Sequence, residues 1–181
     1  VFGSNGHDTL TFMSNDIKKV IGGEGTDKVT LKDVDGNTVD IKGVEEVFGS
    51  NGHDTLTFTS NDIKKVIGGK GDDTVILDLD NPLDNPEHAV DLHGVEHVIG
   101  SGKGETVILM GETNVVELSG LEKVFGSDGD DTLTFMSDDI EKVIGGEGHD
   151  KVTLTGADLS LKHNGRCRRY TSSRTGLHRA M

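Results

Sequence analysis

Residues 1–25 read VFGSNGHDTLTFMSNDIKKVIGGEG, and this stretch recurs almost unchanged at residues 47–71 and again at residues 124–148. The first two copies differ at only two positions. Each copy holds two glycine-rich loops, and each loop is followed by a short run of alternating apolar and polar residues, which is typical of a half-buried strand. Because a unit of loop and strand cannot bury its own apolar face, we expect the copies to stack around a continuous core.

The loops share one pattern and recur at ordered steps. Six of them read G-[GS]-x-G-x-D, at residues 3–8, 22–27, 49–54, 68–73, 126–131 and 145–150, and a divergent seventh loop lies at residues 100–105. The step from Gly3 to Gly22 recurs between Gly49 and Gly68 and between Gly126 and Gly145, and the other steps are longer. This short step cannot hold a strand, a helix and a second strand, but it suits two short strands joined by two turns. The sequence therefore predicts an all-β solenoid with rungs about 4.8 Å thick.

The longer steps contain an additional segment of regular form, at residues 39–47, 90–98 and 116–124. We expect this segment to add a strand, so that the cross-section changes along the axis. The alternating pattern also predicts the core. The residues expected to point inward are Leu10, Val29, Leu56, Val75, Val107, Leu133 and Val152, together with all six phenylalanines, Phe2, Phe12, Phe48, Phe58, Phe125 and Phe135.

The loops have the chemistry of a cation site. Glycines at the first and fourth positions allow conformations that turn several carbonyl oxygens toward one point. Since the short step corresponds to one rung, Asp8 is expected beside Asp27, and the same holds for Asp54 with Asp73 and for Asp131 with Asp150. Two carboxylates this close repel each other unless a positive charge lies between them. Calcium accepts six to eight such oxygens from flexible loops, whereas magnesium demands a tighter octahedron.

Histidines occupy the fifth loop position at His7, His53 and His149. They lack a Cys or His partner at zinc-ligand spacing, so we interpret them as solvent-facing side chains.

The loops and the strands that follow them resemble the nonapeptide repeat GGxGxDxUx of the hemolysin-type, or RTX, calcium-binding proteins, over roughly residues 1–156. The resemblance implies a parallel β-roll or β-helix solenoid in which Ca²⁺ lies between the loops of successive rungs. The implied metal ligands are Asp8, Asp27, Asp54, Asp73, Asp131 and Asp150, with the loop glycines as carbonyl donors: Gly3, Gly6, Gly22, Gly25, Gly49, Gly52, Gly68, Gly71, Gly126, Gly129, Gly145 and Gly148.

Two features depart from the family pattern. Only one loop per rung fits the motif, and the opposite edge carries Ser-Asn-Asp or Ser-Asp-Asp at residues 14–16, 60–62 and 137–139. We interpret these segments as ordinary turns, the alternative being calcium sites on that edge as well. The seventh loop has Lys103 where glycine belongs and Glu105 in place of aspartate, so the sequence leaves metal binding there open.

Charge divides the chain into two parts. Residues 1–161 hold all 32 acidic residues and 12 of the 18 lysines and arginines, a formal net charge of −20. This excess opposes compaction, so we expect the repeat region to fold when calcium binds. We assign residues 1–156 to a repeat domain that is a fragment of a longer array. Residues 157–181 are a basic tail, interpreted as disordered or foreign, the alternative being an arm for nucleic acid or an acidic membrane.

We therefore expect a calcium-binding repeat module of a secreted, extracellular bacterial protein, acting as a spacer or as a folding or secretion aid beside neighbouring domains. No nucleic-acid partner, membrane span or enzymatic activity is expected. One alternative is a calcium-dependent adhesin that binds cells or ice. A flat ice face is disfavoured, because the row beside the outward row is broken by Ile76 and Ile108. The outward row consists of Thr9, Lys28, Thr55, Thr74, Thr106, Thr132 and Lys151. A β-helical polysaccharide lyase or epimerase is the other alternative, but it would need a unique groove with a base beside the metal.

Overall fold

The computed structural model describes residues 1–32, 35–79 and 89–155, and the backbone of residues 169–172. The described residues form strands and no helix. The strands are β1 (Thr9–Phe12), β2 (Lys19–Ile21), β3 (Lys28–Leu31), β4 (Thr38–Lys42), β5 (Glu46–Phe48), β6 (Thr55–Phe58), β7 (Lys65–Ile67), β8 (Thr74–Leu77), β9 (Val90–His93), β10 (His97–Ile99), β11 (Thr106–Met110), β12 (Val115–Ser119), β13 (Lys123–Phe125), β14 (Thr132–Phe135), β15 (Lys142–Ile144), β16 (Lys151–Leu154) and β17 (Arg169–Ser172).

Successive strands alternate between two parallel sheets. The odd sheet contains β1 to β15 in the order of their odd numbers, and the even sheet contains β2 to β16 followed by β17. From β1 to β16, each strand pairs with the strand two places along the chain, as Thr9 pairs with Lys28 and Leu10 with Val29, whereas β17 pairs with β16. The predicted all-β parallel solenoid is confirmed, and its shape is that of a β-roll with two faces and two edges.

The longer steps explain why the loops change edges. Two strands, β1 and β2, separate loops 3–8 and 22–27, but three strands, β3 to β5, separate loops 22–27 and 49–54. An odd number of strands moves the next loop to the other edge. The edge running from even to odd strands carries loops 3–8, 22–27 and 100–105, and the opposite edge carries loops 49–54, 68–73, 126–131 and 145–150.

The extra strand was therefore predicted correctly, whereas the predicted change of cross-section is wrong. Each additional strand joins whichever sheet comes next in the alternation, so the roll keeps two faces throughout its described length.

The core is a column of aliphatic side chains between the two sheets. The predicted inward residues Val29, Leu56, Val75, Val107, Leu133 and Val152 are buried, and Leu10 is partly buried against them. Val20, Val47 and Val66, in the short strands before the loops, complete the same column.

The prediction for the phenylalanines holds for only part of the set. Phe58 and Phe135 are buried and Phe12 packs partly against the core, but Phe2 is 78% exposed. Phe48 and Phe125 are half-buried and outward-facing, because Val47 and Val124 occupy the inward positions beside them. Lys28 Nζ lies 4.1 Å from the centre of the Phe48 ring, a cation–π contact on the outer face.

The predicted basic tail lies largely outside the described residues. Within it, Arg169–Ser172 runs parallel to Lys151–Leu154 as the last strand of the even sheet. Nowhere in the described ranges is there a helix long and apolar enough to cross a membrane.

Two phenylalanines in neighbouring strands test this placement. Phe58→Ala should lower the free energy of unfolding by about 3–5 kcal/mol, because it opens a cavity in the core. Phe48→Ala should cost less than about 1.5 kcal/mol, because its ring lies on the outer face. Urea unfolding at saturating calcium measures both, and equal losses would contradict the assigned faces.

Candidate metal centre

Parallel pairing brings the loops of successive rungs into contact. The backbone N–H of Asp8 donates to Asp27 Oδ1 at 2.8 Å, and that of Asp54 donates to Asp73 Oδ1 at the same distance. The third predicted pair, Asp131 and Asp150, repeats the contact at 3.2 Å. The structure thus places all three pairs together, and each downstream carboxylate lies against the backbone of the rung before it.

Most of these carboxylates are shielded from water. Asp27, Asp54 and Asp73 are each 1% exposed, and Asp131 and Asp150 are also buried. Asp8, in the first loop, is half-buried. Burying an ionised carboxylate is costly unless hydrogen bonds or a cation compensate for the lost water.

The two loops of a pair differ in how their carboxylates are satisfied. We call loops 3–8, 49–54 and 126–131 serine loops, since serine holds their second position, and loops 22–27, 68–73 and 145–150 glycine loops. In the serine loop of the second pair, the Ser50 N–H donates to Asp54 Oδ2 at 2.6 Å, and its hydroxyl lies 3.1 and 3.0 Å from the two carboxylate oxygens. The serines of the other two serine loops make the same contacts.

Glycine loops lack this serine, and two of them contain a buried oxygen without a hydrogen bond. Asp27 Oδ2 and Asp73 Oδ2 are buried and accept no hydrogen bond from any described residue. The glycines in the serine position, Gly23 and Gly69, have φ of 121° and 118°, a conformation open to glycine but strained for serine. An anionic oxygen in this situation calls for a positive partner.

That oxygen lies beside a carbonyl oxygen from the next rung, next to the Cα atom of the first glycine of the loop. We call the space between these two oxygens the cradle. A methyl group added to Gly68 would lie 2.5 Å from Asp73 Oδ2 and would collide with the carbonyl oxygen of Gly94. Gly22 is placed in the same way against Asp27 Oδ2 and the Gly43 carbonyl. Oxygens from two successive rungs therefore converge on the bare face of the first glycine, the side on which any other residue would carry its side chain.

The fourth glycines of the glycine loops face the serine loops. Gly25, Gly71 and Gly148 have positive φ, and a side chain at any of them would meet a carbonyl oxygen from the partner loop, that of Gly6, Gly52 or Gly129 respectively. The space between paired loops is thus lined by carbonyl oxygens.

These donors fit calcium. In the residues that the structure describes, no three His, Cys, Asp or Glu side chains gather at one point, so the donors around each carboxylate are mainly carbonyl oxygens. Hard oxygen donors of this kind suit Ca²⁺ better than a transition metal, which favours nitrogen or sulfur. Bound there, Ca²⁺ would supply the positive charge, and the loop aspartates and glycine carbonyls would hold it.

The sequence analysis missed residues at the ends of the acidic columns, which are the stacks of carboxylates formed by the paired loops. Asn37 donates through both its backbone N–H and its side-chain amide to Asp54 Oδ1, each at 2.7 Å. At the other end, the Asp73 N–H donates to Glu96 Oε2 at 2.8 Å, as the Asp27 N–H donates to Glu45 Oε2 at 2.6 Å. The signal was present, because a glutamate follows Gly-Val or Gly-Leu in all three of the longer segments.

The ionisation of the glycine loops reflects this crowding. Burial, opposed by the Asp54 N–H and reinforced by the charges of Asp54 and Glu96, raises the pKa of Asp73 to about 6. Burial likewise raises the pKa of Asp150, and the nearby charges of Asp131 and Asp130 add to it. A cation beside these carboxylates would favour their charged form.

The carboxylate of the seventh loop accepts hydrogen bonds from backbone N–H groups of the same loop. Glu105 is buried and accepts hydrogen bonds from the backbone N–H groups of Ser101 and Lys103, at 3.2 and 3.0 Å. The Lys103 ammonium donates to the Leu79 carbonyl at 3.3 Å. In the next rung, burial and the neighbouring Glu105 raise the pKa of Glu122. The seventh loop thus pairs two glutamates, Glu105 and Glu122, and contains Lys103, whereas the other loops form pairs of aspartates.

The loop histidines lie at the surface. His7 and His53 are exposed, and their Nδ1 atoms accept the backbone N–H of Thr26 and Asp72, each at 2.9 Å. They connect paired loops through hydrogen bonds on the outside of the roll.

Substitutions at two glycines of one loop pair test whether the space beside the first glycine is needed for calcium binding. Gly22→Ala should raise the calcium concentration needed for folding, because its methyl group collides with the Gly43 carbonyl and Asp27 Oδ2. Gly6→Ala is the control, since nothing lies within 4 Å of an added methyl group there. Circular dichroism during calcium titration measures both midpoints, and equal shifts would argue against the cradle.

Comparison with known proteins agrees with this chemistry. Residues 65–82, which include the glycine loop 68–73, match the family model of the RTX calcium-binding nonapeptide repeat (4 copies). The chain has no match among curated proteins or solved structures. Repeats of this family bind Ca²⁺. Residues 65–82 are therefore similar to an RTX calcium-binding repeat, within a chain whose described residues fold as a parallel β-roll.

Proposed function

We propose that this chain is a calcium-folding repeat module of a secreted bacterial protein, which serves as a structural spacer or as an aid to folding and secretion for neighbouring domains. The observation that carries the proposal is that paired aspartates are buried beside a space lined by the carbonyl oxygens of the loop glycines. Hydrogen bonds do not satisfy all of their oxygens, since Asp27 Oδ2 and Asp73 Oδ2 accept none. A protein that folded without a cation would leave these oxygens uncompensated.

Calcium is proposed to lie between the serine loop and the glycine loop of each pair. The ligands there would be the paired aspartates, Asp8 with Asp27, Asp54 with Asp73 and Asp131 with Asp150. Carbonyl oxygens of the loop glycines would complete the coordination. The close backbone contacts between paired loops support this assignment.

Folding and binding would then be one process. The repeat region carries a large negative charge, and its buried acidic columns cannot form in water without opposing charge. Since the site exists only when two rungs are stacked, the free energy of calcium binding contributes directly to folding.

The proposed extracellular location agrees with the calcium affinity expected of such loops. Loops that must also order the chain should bind calcium at about 0.1–1 mM, as extracellular modules do. Such loops would fill outside a cell, where the ion is abundant, and stay empty inside. A repeat that folds only after export suits a spacer or a folding aid.

Of the alternatives, the ice-binding adhesin finds little support. The predicted outward row is split between the two sheets, with Thr9 and Lys28 in the odd sheet and Thr55 and Thr74 in the even sheet. Thr106, another member, is buried. A flat face of threonines would need these residues in one sheet.

The coupling of folding to calcium is directly testable. The β spectrum in circular dichroism should be absent in chelator and appear as calcium is added, because binding must offset the repulsion of the acidic columns. Magnesium at the same concentration is the control and should be much less effective. A full β spectrum in chelator would contradict the proposal.

Two adjacent aspartates test the ligand assignment. Asp73→Asn should raise the calcium concentration at half-folding on the order of tenfold or more, because a charged ligand is lost from a buried site. Asp72→Asn, the matched control, removes an exposed carboxylate that pairs with His97 and should change the midpoint less than about twofold. Equal midpoints for the two variants would refute the role of Asp73.

A further inference from the structure

A short corner follows each glycine loop along the roll in the first two columns. Gly43 to Glu45 form the corner in the rung after loop 22–27, and Gly94 to Glu96 form the corner after loop 68–73. The Gly22 N–H donates to the Lys42 carbonyl at 2.9 Å, and the Gly68 N–H donates to the His93 carbonyl at the same distance. The corners are thus in register with the loops, although they lack the loop motif.

Each corner presents two oxygens to the loop beside it. The Gly43 carbonyl lies with Asp27 Oδ2 at the bare face of Gly22, and the Gly94 carbonyl lies with Asp73 Oδ2 at Gly68. Glu45 is a buried residue, 8% exposed, and its Oε2 atom accepts the Asp27 N–H. Glu96 makes the same contact with Asp73.

The unpartnered oxygens are on this side of the loops. Asp27 Oδ1 is used by the serine loop, since it accepts the Asp8 N–H. Oδ2 of the same carboxylate is buried without a hydrogen bond and lies beside a carbonyl group of the corner. The second column shows the same division between the two oxygens of Asp73.

We propose that each corner completes a further divalent-cation site, on the side of the glycine loop that faces away from the serine loop. Asp27, Glu45 and the Gly43 carbonyl supply oxygens to one such site. Asp73, Glu96 and the Gly94 carbonyl supply the equivalent oxygens to the other. Each aspartate then bridges two cations, and calcium is the ion that this oxygen set takes. This inference rests on the proposed function but concerns residues outside the loop motif.

The repulsion between the glycine-loop aspartate and the corner glutamate favours the additional ion. Each of these columns contains three carboxylates, Asp8, Asp27 and Glu45 in the first and Asp54, Asp73 and Glu96 in the second. One divalent ion leaves a formal charge of −1 in the column and two leave +1, so the second ion is favoured by where the charges lie and not by their sum. Two divalent ions, separated by the shared aspartate, remove the repulsion between that aspartate and the corner glutamate.

Replacing one oxygen tests the corner without removing its hydrogen bond. Glu45→Gln keeps an acceptor for the Asp27 N–H but loses the charge, so native mass spectrometry at saturating calcium should count one ion fewer than in the unchanged chain. The double variant Glu45→Gln/Glu96→Gln should lose two ions. Glu46→Gln is the matched control, because the Glu46 side chain lies on the outer face of the odd sheet. It should bind the full number.

The possible outcomes separate this inference from the proposed function. If the unchanged chain binds no calcium, the proposed function fails. If it binds calcium and the folded Glu45→Gln chain binds just as many ions, only the corner site is overturned.

If Glu45→Gln does not fold at any calcium concentration, Glu45→Asp decides the question, since it restores the charge on a shorter side chain. Recovery of folding together with the full ion count supports a ligand role. Failure of Glu45→Asp to fold would assign Glu45 a purely structural role and overturn the proposal.

Discussion

The structure depends on carboxylates that are buried between stacked rungs. In each column, an aspartate accepts the backbone N–H of the preceding rung, so its carboxylate acts as part of the ladder that joins successive turns. The same position removes the charge from water and places it near another carboxylate. Hydrogen bonds alone satisfy only some of these oxygens, as Asp27 and Asp73 show. Under the proposed function, a hard cation would supply the missing charge and act as a structural component of the fold, comparable to the metal of a small zinc domain.

Because the loops change edges along the chain, the buried negative charge is divided between the two sides of the roll. After each of the first two loop pairs, a third strand moves the next loop to the opposite side of the roll, so the columns of Asp27 and Asp73 are on different edges. The apolar core lies between them. Separation across the roll reduces the electrostatic repulsion between these two columns.

Much of this organisation was predictable because the repeat is regular. The short step between Gly3 and Gly22 placed Asp8 beside Asp27, and alternation identified the inward valines and leucines. The outward position of Phe48 was misjudged because hydrophobicity was given more weight than the alternation that puts Val47 inside. Glu45 and Glu96 were missed because their role depends on which rung follows the glycine loop, and this register emerges only when the strands are counted through the longer segments.

The most direct test is an anomalous difference map from crystals grown with calcium, because it locates the ion without reference to the coordinates of its ligands. The account predicts strong peaks between the paired loops, each within about 2.3–2.6 Å of carboxylate and carbonyl oxygens. Well-ordered loops without anomalous peaks, and with Asp27 and Asp73 turned into solvent, would contradict it.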